Sequence, residues 1–183
     1  MYMQAMASME SSLLKGQSVS ADLSEWQLGY EAFDGTPPFD SDEPWHEVGG
    51  DDWYSVAVLA RWDGPVAEQT APYGGAVPPA GHPVAYHLQN AYYLHLDSTA
   101  GNPMDARCPD INRENAKYAL THYGAISIGI FSTPAMDEEY TSVEWNNETS
   151  SYYYQGDEGS NHIVNIVGWD DSYAAENFST EPP

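Results

Sequence analysis

Apolar side chains recur at three- and four-residue spacing near the start of the chain, at Met3, Met6, Met9 and Leu13, with small Ala5 and Ala7 between them. That period predicts an amphipathic helix over residues 3–15. Gly16 after Lys15 is the expected stop, a left-handed cap behind a cation in the last turn. Asp22-Leu23-Ser24-Glu25 opens a second, short helix. Residues 34–52 read as a loop, because Pro37, Pro38, Pro44, Gly49 and Gly50 stand among carboxylates. Residues 52–62 predict a third helix burying Trp53, Val56, Ala57, Leu59 and Ala60, and residues 64–81 a second loop. Over residues 84–96 the alternation of Val84, Tyr86 and Leu88, then Tyr92, Leu94 and Leu96, predicts a strand. Residues 112–123 predict a helix capped by Asn112, with Ala116, Ala119 and Leu120 as its stripe and Gly124 as its stop. The apolar runs 125–131 and 162–169 are the length of buried strands, and the polar, tyrosine-rich stretch 137–159 connects them. Helices come first and strands later, the order of an α+β fold rather than a doubly wound sheet. No internal repeat occurs. One domain is expected, mainly helix and loop over 1–75 and mainly β over 76–183, with one helix near 112–123.

Composition permits a real core: 42% of the 183 residues are hydrophobic and 13% aromatic. Charge narrows the partners. Five Lys and Arg face 28 Asp and Glu, for a formal net charge of −23. Nucleic acid and anionic membrane surfaces need clustered cations, so neither is an expected partner. The acidity fits a solvated, self-repelling surface on a protein that stays soluble outside the cell or in salty surroundings. Calcium binding by the acidic loops is a second reading of the acidity, but no EF-hand spacing is present. No run of about 18 apolar residues suggests a membrane span, and no leader opens the sequence. Cys108 is the only cysteine, which excludes an intrachain disulfide.

Five histidines, His46, His82, His87, His95 and His122, follow no ligand pattern and read as structural or solvent-facing. With neither an HExxH nor a Cys/His cluster, no metal is expected. His162 differs, because it opens an apolar strand directly after Gly159-Ser160-Asn161. A ring at the mouth of a strand is held rigidly beside a cleft, as a general base requires. A hydrogen-bonded strand-end histidine is the other reading of the same pattern.

The segment from Ser160 to Tyr173, SNHIVNIVGWDDSY, resembles the histidine strand of papain-like cysteine peptidases. Other stretches resemble the family in the same order. Ala5 to Glu10 is similar to the helix that carries the nucleophilic cysteine, and Leu23-Ser24-Glu25 with Gln27-Leu28 to the segment after it. Gly49-Gly50 before Trp53 is similar to the glycine pair that lines the substrate cleft. Pro72-Tyr73 resembles a turn of the family, and residues 124–132 a strand of its second half. Residues 49–73 are similar to a bacterial branch described with a lectin-like domain.

The resemblance implies a papain-like fold, α+β, with a helical left part carrying the nucleophile helix and a β-barrel-like antiparallel right part. It implies a cysteine-type endopeptidase without cofactor, acting on peptide or protein outside the cell or at its surface. His162 would be the base, across a cleft from the N-terminal end of the first helix. Gly49, Gly50 and Asn161 would bind substrate. Association with the cell surface or with carbohydrate is left open. The nucleophile would fall immediately before Met1, or within about two residues of it, and the asparagine that orients the histidine after Pro183. The sequence is therefore expected to be a fragment incomplete at both ends and inactive as it stands. Cys108, followed by Pro109, does not open a helix and is not expected to replace the nucleophile. A non-catalytic, acidic surface-binding module on the same fold is the alternative, and an unrelated acidic binding domain is the third.

Overall fold

The first helix, α1 (Tyr2–Gln17), is held by two stripes with different tasks. One stripe buries Met6 and Leu13 completely or nearly so, with Tyr2, Ala5 and Met9 beside them. Its partners are Leu28 of α2 (Glu25–Phe33) and Val58 and Leu59 of α3 (Asp52–Ala60), with Leu23 between the helices. The other stripe, Gln4, Ser8 and Ser11, is small and polar, and a sheet packs on it. Met3, assigned to the apolar stripe by spacing, is 56% exposed instead. A computed structural model describes residues 2–36, 42–76, 83–94, 110–133, 142–180 and 182.

The helix ends follow local chemistry. α1 runs through Gly16, and Ser18 takes the left-handed conformation (φ 58°) in its place. Ser24 caps α2 by accepting the Gln27 N–H at 3.0 Å while donating to the Ala71 carbonyl at 2.6 Å, so one buried hydroxyl fixes a helix start and a distant loop. The Leu23 N–H donates to Glu10 Oε1 at 2.7 Å and ties that loop to α1. Asp51 caps α3 by accepting the Trp53 N–H at 2.8 Å. α3 is turned relative to its predicted face: Ser55, Val58 and Leu59 are buried, whereas Ala57 and Ala60 are exposed. Trp53 is 65% exposed because its ring stacks on Tyr93 rather than entering the core.

Within the predicted strand over 84–96, residues 84–94 join no ladder; 95 and 96 lie outside the described residues. Tyr86 and Leu88 pack against the core and the Ala85 N–H donates to the Pro65 carbonyl at 2.7 Å, so the segment lies as a strap across the helices. α4 (Asp110–His122) starts two residues before the expected cap and buries Ala119 and Leu120. Gly124 follows it with φ 110°, and a Cβ there would meet Ser11 Oγ at 2.7 Å.

β1 (Ile126–Ile130) pairs antiparallel with β4 (His162–Ile166), Ile126 opposite Ile166 and Ile130 opposite His162. Both strands are half-buried rather than buried, and Val167 beyond β4 is 82% exposed. The stretch read as a connection holds a small hairpin, β2 (Trp145–Asn146) and β3 (Ser151–Tyr152). Tyr152 donates to the Phe131 carbonyl at 2.8 Å, which fastens this hairpin to the end of β1. A 3-10 turn at Ala175–Asn177 accepts hydrogen bonds from Asn146 and Thr149 through the Asn177 carbonyl. Among the described residues the strands form two two-stranded sheets and close no barrel.

Candidate active site

Residues 127 and 165 face each other across the β1–β4 ladder, and both reach toward the helices. Asn165 Nδ2 donates to the Gln4 carbonyl on α1 at 3.0 Å, and Ser127 Oγ donates to Asp52 on α3 at 3.0 Å. The Ala125 N–H donates to Ser11 Oγ at 2.9 Å. These three bonds dock the sheet on α1 and α3. Asn165 lies three residues beyond His162, about 10 Å along the strand, and Gln4 lies in the first turn of α1. The sheet is thus held so that the mouth of β4 stands beside the start of α1.

A cleft of about 440 Å³ opens at that junction. Tyr2 and Met3 of α1 border it on the helical side, and Ser160, Asn161, His162 and Ile163 on the sheet side. Gly49 and Gly50 line it between them, so His162, Asn161, Gly49 and Gly50, the four residues singled out in the sequence, share one cleft. The distance from His162 to Met1 lies outside the described residues, as do Cys108, His82 and His95.

Asn161 does more to shape the site than to face it. Its amide accepts the Ser132 N–H at 2.6 Å and donates to the Ser132 carbonyl at 2.9 Å, and its own N–H donates to the Ile130 carbonyl. That double clasp extends the ladder by a side chain and sets the strand that presents His162. Gly129 lets Ser160 come close, since a Cβ there would meet the hydroxyl at 2.9 Å. The His162 side chain is exposed, and among the described residues its ring has no hydrogen-bond partner. Gly49 has open space on its Cβ side, which leaves main chain accessible along the cleft floor.

Sequence reasoning missed the aromatic wall. Trp26 packs on Trp45 (ring centroids 4.7 Å apart), on His46 (5.1 Å) and on Tyr73 (5.3 Å), and all four line the cleft. Gly29 makes room for this wall: a Cβ there would sit 3.1 Å from both the Trp45 and the Tyr2 ring. Large aromatics in an otherwise acidic loop, at Trp45-His46, were the available signal. His87 and His122 lie elsewhere, stacked on Trp62 and Tyr118.

Two groups in the cleft titrate away from their ordinary values. Burial pushes the Glu25 carboxyl up, and repulsion from Glu68, Glu10 and Asp22 adds to it. Burial also pushes the Tyr2 phenol up, helped by Tyr54 and Asp51; its hydroxyl is buried without a partner. Among the described residues no three His, Cys, Asp or Glu side chains converge as a metal site.

This arrangement of three helices, a docked two-stranded sheet and a cleft between them is the fold of papain-like cysteine protease domains. The chain is similar to the crystal structure of the cysteine protease and lectin-like domains of Cwp84, a surface layer associated protein of Clostridium difficile, with a TM-score of 0.72 and 24% identity. It is equally similar, at 0.72 and 24%, to a structure of the same clostridial cysteine protease after propeptide cleavage. Each match covers 99% of this chain but only 37% and 41% of those chains. No protein-family model matches the chain, and no curated protein does.

Proposed function

We propose that this chain is the body of a cysteine-type endopeptidase that binds an extended peptide along Gly49-Gly50, with His162 as the general base. The observation that carries this reading is that His162 and the first turn of α1 border one cleft. A thiol at the start of α1 would have its thiolate favoured by the helix dipole and by a protonated imidazole. The thiolate attacks the peptide carbonyl carbon, forming a C–S bond. His162 gives its proton to the leaving nitrogen as the C–N bond breaks. Water, deprotonated by His162, then releases the acyl group and restores the thiol.

A chain of these 183 residues has Cys108 as its one thiol and is proposed to be inactive alone. Placement at a bacterial cell surface belongs to the same reading, supported by the net charge of −23 and by the surface-layer setting of Cwp84. The alternative, a non-catalytic surface-binding module, has support of its own in two stacked ring pairs, Trp53–Tyr93 and Tyr92–Tyr123, whose members are all exposed. Such faces can hold a sugar or a peptide.

A peptidyl epoxide separates the two. In a Cys108→Ser background, a cysteine set directly ahead of Met1 should be alkylated, and His162→Ala should slow labelling by about 10²- to 10⁴-fold. The chain without that cysteine should neither be labelled nor cleave peptide. Labelling indifferent to His162 would favour the binding module. Cleavage by the unaltered chain, stopped by Cys108→Ser, would place the nucleophile elsewhere.

A further inference from the structure

Among the described residues the helical wall of the cleft combines rings with carboxylates and carries no Lys or Arg, and the base on it is His46, packed on Trp26 and Trp45. Trp26 packs against both Trp45 and Tyr73 to form a shelf, and Tyr73 at its rim is 63% exposed. Glu25 and Asp51 line the same cleft. The described cations are all placed elsewhere. Lys15 lies in the last turn of α1, away from the cleft. Arg61 is paired with Asp63 at the far end of α3, and Lys117 of α4, the helix that also carries Arg113, is paired with Asp171.

We propose that the cleft selects a peptide segment bearing lysine or arginine, its cation seated on the Trp26–Trp45–Tyr73 shelf within reach of Glu25 and Asp51. This deepens the peptidase reading above and rests on it. Rings alone would accept an aliphatic, an aromatic or a cationic side chain. The carboxylates decide among them. A cation over an indole face gains from the ring quadrupole, more so where water is partly excluded, and a nearby carboxylate adds to the same attraction. Glu25 is half-desolvated, and its surrounding charges, Glu68, Glu10 and Asp22, are all of its own sign. An incoming ammonium or guanidinium would relieve that repulsion, whereas a substrate carboxylate would add to it. The net charge of −23 acts in the same direction, drawing basic segments to the surface and turning acidic ones away.

The test uses the 183-residue chain and alanine–glycine hexapeptides that differ only at the third position: Lys, Arg, Leu, Phe or Glu. Binding is read by calorimetry at low and moderate salt. The Lys and Arg peptides should bind about tenfold more tightly than Leu or Phe, with Glu the weakest, and the advantage should shrink as salt rises. Glu25→Gln and Tyr73→Ala should each reduce the preference for Lys and Arg. Tyr73 lies at the surface, so its variant tests the shelf without risk to the core. Leu or Phe peptides binding as well as Lys would overturn the cationic preference while leaving a peptide cleft in place. If no peptide binds to a chain shown to be folded by circular dichroism, both this proposal and the peptidase reading fail.

Discussion

Glu25 illustrates how one residue serves two ends. As the first residue of α2 it sits where a negative charge is favoured by the helix dipole. Burial and three neighbouring carboxylates oppose that and win, since its carboxyl is raised from the ordinary 4.5. A raised carboxyl keeps its proton in the folded state over a range of pH where the unfolded chain has released it. The stability it contributes is therefore complete below about pH 4.5 and lost as pH rises through the folded value. Ionised Glu25 is a cost near neutrality. Glu25→Gln should raise the melting temperature at about pH 7.5 and leave it unchanged near pH 4. Equal melting temperatures at both pH values would show that burial does not govern this carboxyl. The same variant should weaken the preference for basic peptides, so stability and selectivity should move in opposite directions.

At the scale of elements, the decisive joint is between α1 and the β1–β4 sheet. Asn165 bonds the Gln4 carbonyl, and Ser8 reaches Asn165 Oδ1 at 3.5 Å. Asn165→Leu has nearly the volume but leaves the Gln4 carbonyl and the Ser8 hydroxyl without that partner. A loss of about 1–3 kcal/mol is expected in denaturant unfolding, with hydrogen exchange in β4 rising more than in α2. A loss spread evenly over all helices would contradict a local joint. This joint was not legible in the sequence. Asn165 looks like a polar interruption of an apolar strand, and only the register opposite Ser127 turns it toward α1. What was legible had strong local causes. The period of Met6 and Leu13 marked α1, Asp22-Leu23-Ser24-Glu25 announced the start of α2, and Ile126 to Ile130 formed a strand. The rotation of α3 was hidden because Trp53 counts as core by hydropathy yet stacks on Tyr93 at the surface. The 84–94 strap alternates like a strand but is fixed by Tyr86 and Leu88 packing on helices, a tertiary effect that period alone does not encode. His162 stood out because a histidine at a strand mouth is a local pattern. The aromatic wall needs three separate segments to meet, at Trp26, Trp45 and Tyr73.

For the whole molecule, the helices supply one wall of the cleft and the sheet the other, and the proposed chemistry exists only where they meet. The reading requires that the start of α1 and His162 act on each other as a thiol–imidazole pair. That coupling can be measured without any substrate. A cysteine is placed directly ahead of Met1 in the Cys108→Ser chain, and its ionisation is followed by thiolate absorbance and by the pH dependence of iodoacetamide reaction. The expected result is a thiol that ionises well below the ordinary value of about 8.5, and a return toward that value in His162→Ala. An ordinary thiol, unchanged by His162→Ala, would contradict it.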